Sequence, residues 1–342
     1  MVALTDSRGA RICALLAITC VGLAAAGCGS SSPSSSGSGK PKVSGTASVA
    51  YASSLQYLNE TDAAPAFQTA TGYKFSGRGA SSGDLETDIA SGEIAPNVFE
   101  SVGGDNITPL EPKFTKWYVQ YAGTSMVVAY NPNGKYASQF KAIADGKKPL
   151  KDLFTLLQTP GLKLGRTDPN IDPQGRDFIY MLELAQMAYH LPADTVTKIL
   201  GGPEGSASSS EIYAESSLDS TLQSGQLDAA SAFITQAIEL HLAYIPLPAT
   251  INLGSFALAS QYHKASITLT SGGTTVVKNG SPQVIDITII GKPTAAAIAF
   301  VKYTLSAAGL AQYKTGGFTL LTPTVTGDSS AVPSQITSEL GS

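Results

Sequence analysis

Residues Gly165-Arg166-Thr167-Asp168-Pro169-Asn170-Ile171-Asp172-Pro173-Gln174-Gly175-Arg176 combine two Asp-Pro steps with a glycine and an arginine, a pattern able to hold a small anion. The apolar Leu162 and Leu164 before it read as a buried strand. Phe178, Leu182, Ala185 and Tyr189 after it recur at helical spacing and predict a helix from Phe178 to His190. The residue before a proline is pushed toward extended geometry, so the helix starts with Asp172 as N-cap and Pro173 in its first position. Unpaired N–H groups and partial positive charge at such a start suit an anion. A well-capped helix without a ligand accounts for the same residues.

Two further strand-to-helix turns present hydroxyls. Val49-Ala50-Tyr51 reads as a first strand, and Ser53-Ser54-Leu55 leads into a helix expected to run to about Ala70, with Pro65 weakening its middle. Ligands of open α/β sheets bind at this carboxyl edge of the strands, although Ser54 also suits a plain helix cap. Tyr73-Lys74-Phe75 suggests a second strand, and Gly77-Arg78-Gly79-Ala80-Ser81-Ser82-Gly83 reads as a loop into a helix through Leu85 and Ile89. Glycines there would let the backbone approach a ligand, and Arg78 could hold an anion or lie on the surface.

The elements that position these turns follow in order. Val98 to Ser101 and Trp117 to Ala122 read as strands, and the apolar run Ser125 to Pro132 marks a crossing into a second lobe. Lys151 to Leu157, Leu218 to Ser224 and Thr235 to Leu242 read as helices, Asp228 to Phe233 as a strand, and Gly201 to Ser210 as a Gly/Ser-rich loop. Tyr244 to Pro248 reads as the return to the first lobe. Ile267 to Val277 and Val284 to Ile290 read as a hairpin through Lys278-Asn279-Gly280-Ser281, followed by helices Thr294 to Leu305 and Gly309 to Tyr313, with Gly316-Gly317-Phe318 as a stop. The alternation of strands and helices predicts an α/β fold with mostly parallel sheets.

Composition narrows the function. Arg8 and Arg11 precede the apolar run Ile12 to Ala26, which is short for a membrane span and ends in small residues, as an export signal does. Ala25-Ala26-Gly27-Cys28 resembles a lipobox, with Cys28 as the lipidated residue, and Gly29 to Gly39 form a flexible Gly/Ser/Pro tether. Cys13 and Cys20 lie in the signal, so the body after Cys28 carries no thiol for a disulfide, a nucleophile or a metal. Without residues 1–27 the basic count falls from 22 to 20 and the acidic count from 26 to 25, a formal charge of −5 with no basic stripe for nucleic acid. No nucleophile or metal-ligand spacing surrounds His190, His241 or His263, so the reading is of a non-enzyme without metal or cofactor.

The chain resembles the substrate-binding lipoproteins of molybdate and tungstate ABC transporters, above all the tungstate-type branch. Gly165 to Gly175 matches that branch's Gly-x-Ser-Asp-Pro-Asn-x-Asp-Pro-Cys-Gly signature except at Thr167 and Gln174. Leu247-Pro248-Ala249-Thr250-Ile251-Asn252-Leu253-Gly254, the Ile285 to Leu305 strand and helix, Ala52-Ser53-Ser54-Leu55 and Ser81-Ser82 add to the likeness. It implies a two-lobed α/β periplasmic-binding-protein fold of type II: signal 1–27, tether 28–45, lobe one 46–124 and 247–334, lobe two 125–246. It implies extracytoplasmic binding of molybdate or tungstate by a lipid-anchored monomer and delivery to an ABC permease in the cell membrane. Another oxyanion such as sulfate or phosphate, or an interaction lipoprotein that has lost its ligand, are the alternatives. Ser53, Ser54, Ser81, Ser82, Asp172 and Pro173 would line the site, with Arg78, Arg176, Ser125 and Phe233 as further candidates. Ala232 stands where that branch has a ligand glutamate, and Phe233 where many molybdate binders have a tyrosine.

Overall fold

Short apolar runs become the strands of two larger sheets and a two-stranded one, and longer amphipathic stretches become helices. A computed structural model describes residues 43–203, 211–271 and 274–340. The chain runs β1 (Thr46–Ala52), α1 (Ala64–Thr71), β2 (Lys74–Ala80), α2 (Ser82–Ser91), β3 (Val98–Val102), β4 (Trp117–Gly123), β5 (Met126–Tyr130), α3 (Ala137–Ala144), α4 (Lys151–Leu156), β6 (Leu164–Gly165), α5 (Pro173–Tyr189) and α6 (Thr195–Leu200). It continues through α7 (Glu215–Gln223), β7 (Ala229–Phe233), α8 (Ile234–Glu239), β8 (Ala243–Ile245), α9 (Ala259–Tyr262), β9 (Ser266–Ser271), β10 (Thr274–Asn279), β11 (Val284–Ile289), α10 (Ala295–Leu305), α11 (Ala307–Thr315) and β12 (Thr319–Gly327). The expected signal, Cys28, most of the tether and most of the Gly201 to Ser210 loop lie outside the described residues.

The largest sheet has the order β12-β4-β11-β3-β1-β2, the second β6-β7-β5-β8, and β9 and β10 pair in a small sheet of their own. Strands β3, β5, β7 and β11 are buried along their whole length, including the polar Glu100, Ser101, Ser231, Asp286 and Thr288. Pairing is mixed rather than mostly parallel. Strand β1 runs parallel to β2 and β3, and β6 parallel to β7, whereas β11 is antiparallel to β3 and β4, β12 to β4, and β5 to β7 and β8. In the larger sheet the late strand β11 runs opposite to β3 and β4, and β12 opposite to β4; in the smaller one β5 runs opposite to β7 and β8.

Three local expectations change. The hairpin pairs β9 with β10, the residues between them lying outside the described residues, while Lys278 to Ser281 leads into β11 in the larger sheet. Gly77-Arg78-Gly79 is not a loop but part of β2, in register with Val49, Ala50 and Tyr51 on β1. A Cβ at Gly77 would collide with the Tyr51 ring, so glycine there makes room for a core tyrosine. Tyr244-Ile245 is not only a return segment but strand β8, paired with β5.

The first helix also has its own form. Leu58–Ala63 winds as a π-helix, with the Ala64 N–H reaching Asn59, directly before α1, whose first turn contains Pro65 and therefore lacks one donor. Fully buried Glu100 on β3 accepts from Asn59 Nδ2 at 2.7 Å and from the hydroxyls of Tyr121 and Tyr313, which ties this helix to β4 and α11. Among the described residues no helix is long and apolar enough to cross a membrane.

Candidate functional site

The first serine pair follows β1 as a single turn of 3-10 helix, Ser53–Leu55. Ser53 is half-buried; Ser54 is 4% exposed, and its Oγ has no hydrogen-bond partner. The second pair opens α2. Ser81 is the N-cap and accepts from the Asp84 N–H at 3.2 Å, while Ser82, 1% exposed, accepts from the Val102 N–H at 3.2 Å. These contacts occupy acceptor lone pairs and leave the serine O–H groups free to donate, as an anion requires.

The Asp-Pro loop is rigid for reasons written in its residues. Asp168 Oδ1 accepts from the Asn170 N–H at 2.9 Å and from Asn170 Nδ2 at 2.8 Å, and its carbonyl accepts from the Asp172 N–H at 2.9 Å. A side chain at Gly175 would strike the backbone of Thr167 to Pro169, so only glycine lets the helix start fold this closely onto the loop. Asp172 is the N-cap of α5, its Oδ1 accepting from the Gln174 N–H at 2.8 Å, with Pro173 in the first helical turn. The helix begins five residues earlier than the apolar periodicity alone predicts because Pro173 to Asp177 are polar or small yet buried.

The loop and α2 touch directly. The Gly83 N–H donates to the Ile171 carbonyl at 3.0 Å, and a Cβ at Gly83 would press into that carbonyl. Ser81 and Ser82 are thereby brought beside Asp172 and Pro173. Ser54 joins from the other side, because its backbone N–H faces the carboxylate of Glu215 at the start of α7. Glu215 is 5% exposed and accepts from Gln174 Nε2 at 3.1 Å and Gln236 Nε2 at 2.9 Å. Gln236 Oε1 accepts from Gln174 Nε2 at 2.7 Å and from the Phe233 N–H at 3.0 Å, and Ser231 Oγ donates to Gln174 Oε1 at 2.8 Å. A cavity of about 450 Å³ lies beside this network, lined by Ser53, Ser54, Glu215, Asp219, Gln236 and Glu239 among others.

Other candidates hold different positions. Arg78 is half-exposed and pairs with Asp88 at 2.8 Å on the surface, away from the loop. Ser125 sits at the crossing between β4 and β5, where its carbonyl accepts from the Ile234 N–H at 2.8 Å. Phe233 is a core residue, 1% exposed, at the end of β7 next to fully buried Ala232. Arg176 is 5% exposed, donates to the Pro169 carbonyl at 3.3 Å and lies 3.9 Å from Asp105. It borders a second cavity of about 560 Å³, with Pro173, Asp177, Lys278, Gln120 and Asp105.

Charge states follow from burial. Burial raises the Asp172 carboxyl to about 6, against the Gln174 N–H and Arg176, which favour its ionised form. Burial likewise pushes Glu215 well up, with Asp172 and Asp219 adding to it. Asp219 rises to about 7 and Glu239 to about 8 for the same reason, Asp62 contributing at Glu239. The sequence reading missed Glu215 altogether. An acidic residue in a helix's first turn is ordinary dipole compensation, so only the fold distinguishes this one.

The family model for bacterial extracellular solute-binding proteins matches residues 47–319. The chain belongs to that family. Its members are solute-binding components of transport rather than enzymes, and the family's location is extracytoplasmic. The chain is 30% identical over 231 residues to a molybdate/tungstate-binding protein of Pyrococcus abyssi, covering 63% of this chain and 65% of that one. A molybdate/tungstate-binding protein of Thermococcus kodakarensis is 30% identical over 218 residues, 58% and 59% of the two chains. An uncharacterized solute-binding protein of Petrotoga mobilis is 26% identical over 230 residues, 65% and 68%. The chain thus matches roughly three fifths to two thirds of these relatives' lengths. Among solved structures, the periplasmic molybdate-binding protein of Azotobacter vinelandii shares the fold, with a TM-score of 0.52 at 19% identity over 80% of this chain and 98% of that one.

Proposed function

We propose that the chain binds molybdate or tungstate outside the cytoplasm, as a lipoprotein anchored through Cys28, and delivers it to an ABC permease. The observation that carries this reading is Ser54: a buried hydroxyl with no partner, held at a strand's end beside the capped start of α5. A buried hydroxyl without a partner is costly, and an oxyanion oxygen satisfies it. Ser81 and Ser82 supply two more O–H donors across the Gly83–Ile171 contact, and such hydroxyls beside a helix start suit an oxyanion. The relatives of Pyrococcus and Thermococcus, described as molybdate/tungstate-binding, favour these two anions over sulfate or phosphate.

The larger sheet with its helices forms one lobe and the smaller sheet with α3 to α8 the other, closing on the anion in a monomeric protein that uses no cofactor. A thermal-shift screen with molybdate, tungstate, sulfate and phosphate tests this. A ligand that binds only the folded protein adds about 2.7 kcal/mol at a hundred times its dissociation constant, a shift of several degrees. Molybdate and tungstate should give that shift and phosphate much less. If no oxyanion moves the transition, the transport reading fails and an interaction lipoprotein without a ligand takes its place.

A further inference from the structure

Two carboxylates stand where a dianion is proposed to bind, and their placement makes a demand on the chemistry. Gln174 ties them together: its backbone N–H donates to Asp172 Oδ1 at 2.8 Å and its side-chain amide to Glu215 Oε1 at 3.1 Å. Both are buried, at 3% and 5% exposure. Facing Glu215 are Asp172 from the loop, Asp219 from its own helix, neutral Gln236 from α8 and the Ser54 N–H from the turn after β1; Glu60 and Glu239 line the same cavity. Facing Asp172 are Arg176 on α5, Asp84 on α2 and the Thr167 hydroxyl. Arg176 is the one cation in this set. Among the described residues no three acidic or histidine side chains are placed to hold a metal ion. Two ionised carboxylates and a dianion in one buried space therefore lack countercharge, and the charge that can reach them is a proton from solvent.

We infer that Glu215 is held protonated whenever the oxyanion is bound, and in its neutral form donates a hydrogen bond within the site rather than repelling the anion. This rests on the oxyanion reading. Burial and the neighbouring Asp172 and Asp219 already favour the neutral form of Glu215, and a bound dianion adds to the same effect. Glu215 is then a specificity-determining residue: the site accepts an anion only together with a proton, and binding weakens as pH rises.

Calorimetric titration of the full chain with molybdate, in buffers of different ionisation enthalpy, reads proton uptake directly and needs no variant. The expected result is proton uptake that grows as pH rises and free Glu215 ionises, with affinity falling over the same range by at most about tenfold per pH unit. Glu215→Gln, a permanently neutral donor of the same shape, should still bind molybdate with the buffer dependence and most of the pH slope removed. Equal enthalpies in every buffer as pH is raised, with affinity that does not fall, would overturn the inference while leaving molybdate binding intact. So would a folded Glu215→Gln chain that keeps its proton uptake or loses binding altogether. No heat with molybdate or tungstate in the unmodified chain would instead defeat the oxyanion reading, and this inference with it.

Discussion

Ser54 and Ser82 differ in what their hydroxyls already do, and mutation should separate them. Ser54 Oγ bonds nothing, so Ser54→Ala should leave the melting temperature nearly unchanged while weakening molybdate binding by roughly 1.5–3 kcal/mol, the worth of a hydrogen bond to a charged group. Ser82 Oγ accepts the buried Val102 N–H, so Ser82→Ala should weaken binding and also lower stability by about 1–3 kcal/mol, the cost of orphaning that donor. Thermal melts and titrations of both variants check the contrast. Asp172 gives a pH-dependent test. Its carboxyl is raised from 3.8 to about 6 in the folded chain, chiefly by burial. Stability from the neutral form is fully present below the unfolded value and is lost as pH rises through about 6. Asp172→Asn caps almost as well, so it should raise stability near pH 7.5 by at most about 3 kcal/mol and change little near pH 4. A variant less stable than the parent at both pH values would mean that the cap contact outweighs the burial cost.

Elements show why some of this was legible and some was not. The start of α5 could be read from Asp172-Pro173, because proline and an N-cap are local devices whose physics does not depend on the rest of the fold. The same holds for Ser81 at α2 and for Thr294, which caps α10 by accepting from the Ala297 N–H at 3.1 Å. Gly77-Arg78-Gly79 misled because glycine signals a loop unless a distant residue, here Tyr51, needs the space. The hairpin was displaced because β-branched runs announce strands but not their partners, and β11 is claimed by β3 and β4. Helices α3 and α6 and strands β8 and β12 went unread, being short or only partly buried. Glu215 was invisible for a different reason: its partners Gln174, Gln236 and Ser54 lie far away in sequence. At this scale the contact between α2 and the Asp-Pro loop is the one to break. Gly83→Ala places a methyl against the Ile171 carbonyl, backbone that cannot swing aside. It should cost about 1–3 kcal/mol, as overpacking does, and weaken molybdate binding together with stability. Melting curves and titrations that show no change would remove that contact from the account.

At the scale of the molecule, the six-stranded sheet carries the two serine turns, and the four-stranded sheet carries the Asp-Pro loop, α5 and Glu215. Their meeting gives the proposed site its donors and its carboxylates at once. A chain of formal charge −4 has no long-range field to draw an anion in, so capture depends on short-range donors rather than on electrostatic steering. The cavity beside Arg176 and Lys278 is where a simple attraction to positive charge would put an oxyanion instead. Anomalous diffraction from a crystal of the chain grown with molybdate distinguishes the two positions most directly. The account predicts one molybdenum peak between the serine turns and the Asp172-Pro173 helix start, with an oxygen at about 2.7 Å from Ser54 Oγ. A peak beside Arg176 and Lys278, or none in the space between the serines and Asp172, would contradict it.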